Sequence, residues 1–190
     1  MRRTALIAAA LVAVSSVGMA QQTLFAASRA THTVVKPALD DATIVAIFDG
    51  ANTADIETGT LAKTRGQSKE VRDFGAMLLR DHTMVRQQGR DLAAKLGVTP
   101  TAPADDAGAR DHAVAMKSLR AVPKGEFDQA FLHHEVAFHA AVINAVTTTL
   151  LPAIKNAELK KLVTTVAPAF EAHRAAAAQL SEKLAKSGGK

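Results

Sequence analysis

Apolar residues recur every three or four positions through most of this chain, which is the spacing of one face of an α-helix. The clearest run covers about residues 69–96, where Ser68 is a candidate N-cap and Gly97 a C-terminal cap. Its stripe consists of Val71, Phe74, Leu78, His82, Val85, Gly89, Leu92 and Leu96. This segment is predicted to be one long amphipathic helix.

Three further long helices are predicted, over about residues 40–65, 126–150 and 156–186. The stripe of the first contains Ile44, Ile47, Ala51, Ala54, Thr58 and Leu61. A short extra helix over about 105–119 lies in the connection between helices 2 and 3. Pro168 lacks the amide that would bond to Thr164, so a kink is expected about one turn before His173. The pattern predicts an all-α fold, a four-helix up-and-down bundle occupying residues 40–186.

Histidine and glutamate replace leucine at several inward-facing positions of these stripes. His82, His139 and His173 each lie near the middle of a different helix. Glu135 precedes His139 by one turn, so both side chains project from one face. Glu57 lies at the edge of the first stripe. Each long helix therefore offers a potential metal ligand at a similar depth, as in the metal sites of bundle interiors.

The chemistry of these side chains favours a divalent transition metal. Imidazole and carboxylate together suit zinc, iron, manganese or copper, and the chain has no cysteine for a thiolate site. The predicted ligands are Glu57, His82, Glu135, His139 and His173. Asp81 and Glu171 are neighbours of two of the histidines and are candidate outer-shell acceptors.

Other interpretations of the same residues remain open. The buried polar side chains would fix helix register without metal in a structural or stress-related interaction protein of the cell envelope. Inward histidines that become charged in acid would make the bundle sensitive to pH. Haem held between His82 and a methionine is disfavoured, because there is no C-x-x-C-H motif and neither Met77 nor Met84 shares the His82 stripe.

The first twenty residues have the pattern of a secretory signal peptide. Arg2 and Arg3 precede an apolar stretch, and Gly18-Met19-Ala20 offers small residues for cleavage before Gln21. The apolar stretch is too short for a membrane span, so no transmembrane segment is expected after cleavage. We expect a periplasmic or exported protein with a polar leader over residues 21–39. Association with the outer membrane and any protein partner are left open.

Composition narrows the function classes further. Removal of Arg2 and Arg3 leaves 21 Lys and Arg against 18 Asp and Glu, and aromatic residues make up only 4% of the chain. A dispersed small charge and few aromatic side chains argue against nucleic-acid binding. The sequence has no Gly-rich phosphate loop, no G-x-S-x-G and no H-E-x-x-H. A non-catalytic binding role is therefore favoured over an enzyme.

Several motifs together resemble a family of exported bacterial proteins, the domain of unknown function 4142, whose members are often described as outer-membrane proteins. The matching stretches are Asp55-Ile56-Glu57 through Ala62, Val71-Arg72-Asp73-Phe74 through His82, Glu126-Phe127-Asp128 through His139, and the residues around His173. The resemblance covers about residues 40–184. It implies a ferritin-like four-helix bundle with polar residues at Glu57, His82, His139 and His173.

The chain departs from ferritin-like di-iron proteins in one respect. Those proteins carry Glu-x-x-His on two helices, whereas the nearest equivalent here is the single pair Glu135-x-x-x-His139. The resemblance therefore does not imply ferroxidase or oxygen-activating chemistry.

Overall fold

The computed structural model describes residues 39–187 of the chain. The signal peptide and most of the leader predicted above lie outside these residues. The described part contains helices and no strands. The helices are α1 (Asp41–Arg65), α2 (Lys69–Leu96), α3 (Ala107–Ala121), α4 (Phe127–Ala145) and α5 (Ala157–Ser187). The prediction of an all-α protein with a short helix between the second and third long helices is confirmed.

Side chains fix where these helices begin. Asp40 accepts a hydrogen bond from the Thr43 amide at 2.8 Å, and Ser68 accepts one from Val71 at 3.2 Å, so both act as N-caps. Gly97 ends α2 with a φ of 64°, a left-handed conformation that glycine adopts without strain.

The end of α4 differs from the uniform α-helix expected there. Val146–Leu150 forms a π-helical turn, followed by a short helical segment, Leu151–Ala153. The hydroxyl of Thr147 donates to the carbonyl of Ile143 at 2.9 Å, and Thr148 donates to Asn144 at 2.7 Å. These hydroxyls compete with backbone amides for the carbonyls four residues earlier, which favours a locally wider helix.

Two helix pairs run antiparallel. In the α1–α2 pair, Gly89 lies against Phe48 near one end, and Gly59 lies against Gly75 towards the other. In the α4–α5 pair, the Gln129 side chain hydrogen-bonds to Ser181.

Two carboxylates hold loops that are distant in sequence. The Asp128 carboxylate accepts hydrogen bonds from the backbone amides of residues 67 and 68, each at 2.8 Å. The Asp41 carboxylate accepts hydrogen bonds from the backbone amides of residues 155 and 156, each at 2.9 Å.

The core consists of two apolar clusters. The first apolar cluster contains Ile44, Val45, Phe48, Ala93, Val146, Leu150, Ile154, Leu159, Val163, Val166 and Phe170. The second apolar cluster contains Ala62, Val71, Phe74, Leu78, Leu119, Phe127, Phe131, Leu132 and Ala177. On every long helix, the positions between the two clusters are occupied by buried polar residues. The site described below lies in this interval.

The buried face of α1 is rotated from the predicted stripe. Its buried residues are Ile44, Val45, Phe48, Asn52, Ala54, Asp55, Thr58, Gly59 and Ala62. Ile47, Ala51 and Leu61, which the stripe placed inside, are only partly buried. Apolar residues occur on several sides of α1. Their spacing alone therefore does not identify which side of the helix is buried.

One stretch of the described residues, Lys124–Ala153, is long and apolar enough to cross a membrane by length and composition alone, because an 18-residue window within it has a mean hydropathy of 1.5. A single helix of this kind is weak evidence for membrane insertion. The same stretch carries Glu135 and His139, whose side chains are fully buried against the other helices.

Candidate metal centre

Four helices place polar side chains in one layer between the two apolar clusters. None of these residues is more than 6% exposed. We call the set the polar layer; it consists of Asn52 and Asp55 on α1, His82 on α2, Glu135 and His139 on α4, and His173 on α5. Burying polar groups at this density is unfavourable unless they bind each other or a ligand.

The three histidines of the polar layer converge. One ring nitrogen from each of His82, His139 and His173 lies within 4.8 Å of the corresponding nitrogens of the other two. Their ring centroids are separated by 5.1 to 5.8 Å. Side chains from three different helices thus point at one small volume, which is the arrangement that imidazole ligands of a metal require.

A second group contains two carboxyl groups. Asp55, Glu135 and His139 each offer one atom, and these atoms also lie within 4.8 Å of one another. His139 belongs to both groups, so the carboxyl groups adjoin the histidines. Burial, followed by the charge of Glu135 and a hydrogen bond to it, raises the pKa of Asp55 well above its ordinary value.

Hydrogen bonds hold the outer sides of the histidine rings. The Nδ1 of His82 lies 2.9 Å from Asn52 Oδ1, and the Nδ1 of His139 lies 3.0 Å from the Glu135 backbone oxygen. On its outer side, His173 Nε2 lies 3.3 Å from Asp81 Oδ2. On the inner side, His82 Nε2 and His173 Nδ1 face each other at 3.2 Å. The rings are therefore fixed in orientation before any ligand binds.

When both carboxyl groups are ionised, four buried polar atoms in this layer have no hydrogen-bond partner. They are Asp55 Oδ1, both carboxylate oxygens of Glu135, and His139 Nε2. Buried polar atoms in folded proteins are nearly always paired, and a cluster of unpaired ones needs an explanation such as an ion or ordered water. All four are atoms that coordinate metals.

The environment keeps two of the histidines neutral. Burial and the neighbouring imidazoles lower the pKa of His82 to about 3. Burial, and next the charge of His139, also lowers the pKa of His173. The ring of Phe170 stacks on His82 at a centroid distance of 5.8 Å and an angle of 12°, which shields that face from water. Neutral imidazole is the form that binds metals.

The structure places four of the five predicted ligands in two groups that share His139: His82, His139 and His173 form one, and Glu135 and His139 belong to the other with Asp55. Glu57 lies elsewhere. Its side chain is 48% exposed, and its Oε2 is 2.9 Å from the Nε2 of His112 on α3. Glu57 thus forms a contact between α1 and α3 and is not in either potential ligand group.

The sequence interpretation missed two inward-facing residues of α1, Asn52 and Asp55. They follow Phe48 at the spacing of one helix face, four and seven residues later, and this spacing was the available signal. Of the two outer-shell candidates, Asp81 contacts His173, whereas Glu171 is exposed and pairs with Arg174.

Together these residues can hold a divalent cation. Three imidazoles supply nitrogen donors, and Asp55 and Glu135 can supply negative charge. Within residues 39–187, the only ion-pair partners of these two carboxyl groups are histidines, so no Lys or Arg neutralises them. This mixed nitrogen and oxygen donor set fits zinc and the borderline transition metals. Magnesium and calcium fit it less well, because they prefer sites made of oxygen ligands alone.

No curated protein and no solved structure gives a significant match to the chain. One protein family does match, over residues 26–180, and it is described as a domain of unknown function (DUF4142). This match spans most of the chain and includes every residue of the polar layer. The chain therefore belongs to the DUF4142 family, whose function its description leaves open.

Proposed function

We propose that this protein is an exported binding module that holds one divalent transition metal in the polar layer. The observation that carries the proposal is the set of four unpartnered, buried donor atoms on Asp55, Glu135 and His139 beside two further converging imidazoles. A cation bound among them would supply the missing partners and compensate the charge of the carboxylates. The ligands would be His82, His139 and His173 with one or both carboxylates.

Charge balance supports the proposal. Two carboxyl groups that are 2% and 0% exposed face each other without a lysine or arginine partner among the described residues. Two negative charges so close together in a dry interior are strongly unfavourable. Either a proton or a cation must compensate them, and a divalent ion compensates both.

We further propose that α1, α2, α4 and α5 form a ferritin-like up-and-down bundle. The two antiparallel pairs and the shared layer of buried polar residues support this arrangement. Glu135 and His139 both face the interior although four residues separate them. This spacing, and the three histidines, set the site apart from a Glu-x-x-His di-iron centre.

The place of action would be the periplasm or the cell exterior. Support for export comes from Arg2, Arg3, the apolar stretch and the Ala20–Gln21 junction of the sequence. Outside the cytoplasm, a site without thiolates is not exposed to loss of ligands through oxidation of cysteine.

Elemental analysis of the purified mature chain tests the binding function. The protein would be stripped with chelator, exposed separately to zinc, iron, manganese and copper, and freed of excess metal. We expect about one metal ion per chain for wild type and a large loss for His139→Ala. His133→Ala, which removes an exposed histidine of the same helix, is the matched control. Equal metal content in wild type and His139→Ala, or none in either, would refute the proposal.

One observation favours a second candidate function, a structural envelope protein without metal. Asn52, His82, His173 and Asp81 form a continuous run of polar contacts across three helices, and such a run can fix helix register by itself. This candidate predicts a melting temperature that does not change with zinc or chelator. A metal that binds only the folded state at a hundred times its Kd should raise the melting temperature by about 5 to 10 °C.

A further inference from the structure

We infer that Asn52 and Asp81 are positioning residues that select the coordinating nitrogens of two ligands, Nε2 of His82 and Nδ1 of His173. The inference rests on the proposed metal-binding function and adds the identity of the ligand atoms. It also makes the two histidines unequal, since they would coordinate through different ring nitrogens.

Asn52 determines the tautomer of His82. The Asn52 amide nitrogen donates to the Phe48 carbonyl at 2.8 Å, which fixes the amide so that its oxygen faces the histidine. That oxygen can only accept, so His82 Nδ1, 2.9 Å away, must carry the proton. Asp55 Oδ2, 3.4 Å from the same nitrogen, favours the same tautomer. In neutral His82, Nε2 is therefore left with a free lone pair.

Asp81 acts on His173 in the same way from the opposite side. Its Oδ2 lies 3.3 Å from His173 Nε2, and its Oδ1 pairs with Arg80. A carboxylate at this position favours a proton on Nε2, which leaves the lone pair on Nδ1. Carboxylates that orient metal-binding histidines through the outer nitrogen are a recurrent feature of zinc sites.

The two lone pairs then face each other. His82 Nε2 and His173 Nδ1 are 3.2 Å apart. Two lone pairs at this distance repel each other unless a cation lies between them. Two nitrogens bound to one tetrahedral zinc at about 2.0 Å would be separated by about 3.3 Å. The spacing of the two nitrogens already matches that of two ligands on one metal.

Nitrogen NMR of the full mature chain, labelled with ¹⁵N in histidine, tests the inference directly. After addition of zinc, we expect ring shifts of a Nδ1-protonated, Nε2-coordinated His82 and a Nε2-protonated, Nδ1-coordinated His173. Coordination of both rings through the same type of nitrogen would overturn the inference but leave the binding function intact. Absence of any zinc uptake would overturn both.

Variants of the positioning residues give a second readout. Asn52→Leu removes the acceptor with little change in size, and we expect it to weaken zinc binding by about 10- to 100-fold. Asn52→Asp keeps an acceptor and should bind at least as tightly as wild type. Asn144→Leu, at an exposed position, is the control. Folded Asn52→Leu with wild-type affinity and unchanged His82 shifts would overturn the role of Asn52.

Asp81 can be tested without disturbing the core, because its side chain is partly exposed. We expect Asp81→Ala to weaken zinc binding by about tenfold or more and to give His173 a mixture of tautomers in the metal-free protein. Asp73→Ala removes a more exposed carboxylate of the same helix and should change neither. A single, unchanged His173 tautomer in Asp81→Ala would contradict the inference.

Discussion

Asp55 illustrates at the residue scale how binding and stability oppose each other. Its carboxyl group is 2% exposed, and the nearby charge of Glu135 adds to the effect of burial in raising its pKa. A side chain in such a position destabilises the empty fold whenever it ionises. A bound metal would compensate this charge.

This opposition predicts that Asp55→Asn stabilises the metal-free protein. Because the folded state raises the pKa of Asp55, the stability contributed by its proton is complete below about pH 3.8 and is lost as pH rises through the folded-state pKa. Asparagine cannot ionise and avoids this loss. In excess chelator at pH 7, we expect Asp55→Asn to increase the free energy of unfolding by about 1 to 3 kcal/mol.

Urea unfolding between pH 4 and pH 7 measures this difference. The advantage of Asp55→Asn should shrink towards pH 4, since the wild-type carboxyl group is then protonated in the folded state and no longer buries a charge. The same variant should lose most of its zinc affinity. If Asp55→Asn were less stable than wild type at pH 7 and more stable at pH 4, ionisation of Asp55 would not destabilise the metal-free fold.

Two glutamates distinguish the site in the structure from the ligand set predicted by sequence. Glu135→Gln should lower zinc affinity by at least about tenfold, because both its oxygens are buried and unpartnered. Glu57→Gln should leave the affinity within about twofold, because Glu57 pairs with His112 away from the ligand groups. Competition with a chromophoric chelator measures both. Equal losses in the two variants would restore Glu57 as a ligand.

Sequence reasoning identified the histidines of the site because each interrupts an otherwise apolar stripe. His82 is the clearest case, with Leu78 one turn before it and Val85 one turn after it. Asp55 could not be identified in this way, because the inward face of α1 is itself polar at Asn52 and Asp55. Where the core is polar, hydrophobic spacing does not show which side of a helix faces inward.

At the scale of the elements, the α1–α2 contact sets the depth of the polar layer. A Cβ atom at Gly75 would lie 2.7 Å from both the Gly59 oxygen and the Ala62 Cβ. Only glycine permits this approach of two backbones. The contact holds Asp55 of α1 and His82 of α2 in register, since both are within two turns of it.

We therefore expect Gly75→Ala to destabilise the fold by about 1 to 3 kcal/mol through overpacking. Gly50→Ala is the control: nothing lies within 4 Å of a Cβ at Gly50, and alanine favours the helix, so this variant should gain about 0.5 to 1 kcal/mol. Thermal unfolding followed by circular dichroism measures both. Gly75→Ala with wild-type stability would mean that the two helices are not in close contact.

The extents of the helices were predictable from local signals. Ser68 and Gly97 define the ends of α2, and the observed helix, Lys69–Leu96, agrees with the range 69–96 predicted from the sequence. The π-helical turn at Val146–Leu150 was not predictable from hydrophobic spacing, because it depends on which carbonyls the threonine hydroxyls occupy. The kink expected from Pro168, which lies inside α5, stays a prediction.

At the scale of the whole molecule, a polar layer is enclosed at both ends by apolar clusters. The first apolar cluster lies beyond the layer on one side and the second apolar cluster beyond it on the other. The exclusion of water strengthens interactions between charges in the layer. An ion held there would be shielded from solvent by the core of the fold.

Export is a separate prediction about the whole chain. Expressed with its own N-terminus in a Gram-negative host, the protein should appear outside the cytoplasm with Gln21 as its first residue. Intact-mass analysis of the periplasmic fraction measures the cleavage. Replacing Ala20 with a bulky residue such as phenylalanine should block it. A full-length protein confined to the cytoplasm would contradict the localisation proposed here.

The most direct test of the metal site is anomalous diffraction from crystals of the mature chain grown with zinc. Data collected above and below the zinc absorption edge locate the ion independently of the protein coordinates. We expect one strong peak enclosed by the rings of His82, His139 and His173. Peaks confined to surface residues such as His133, with density for water alone in the polar layer, would contradict it.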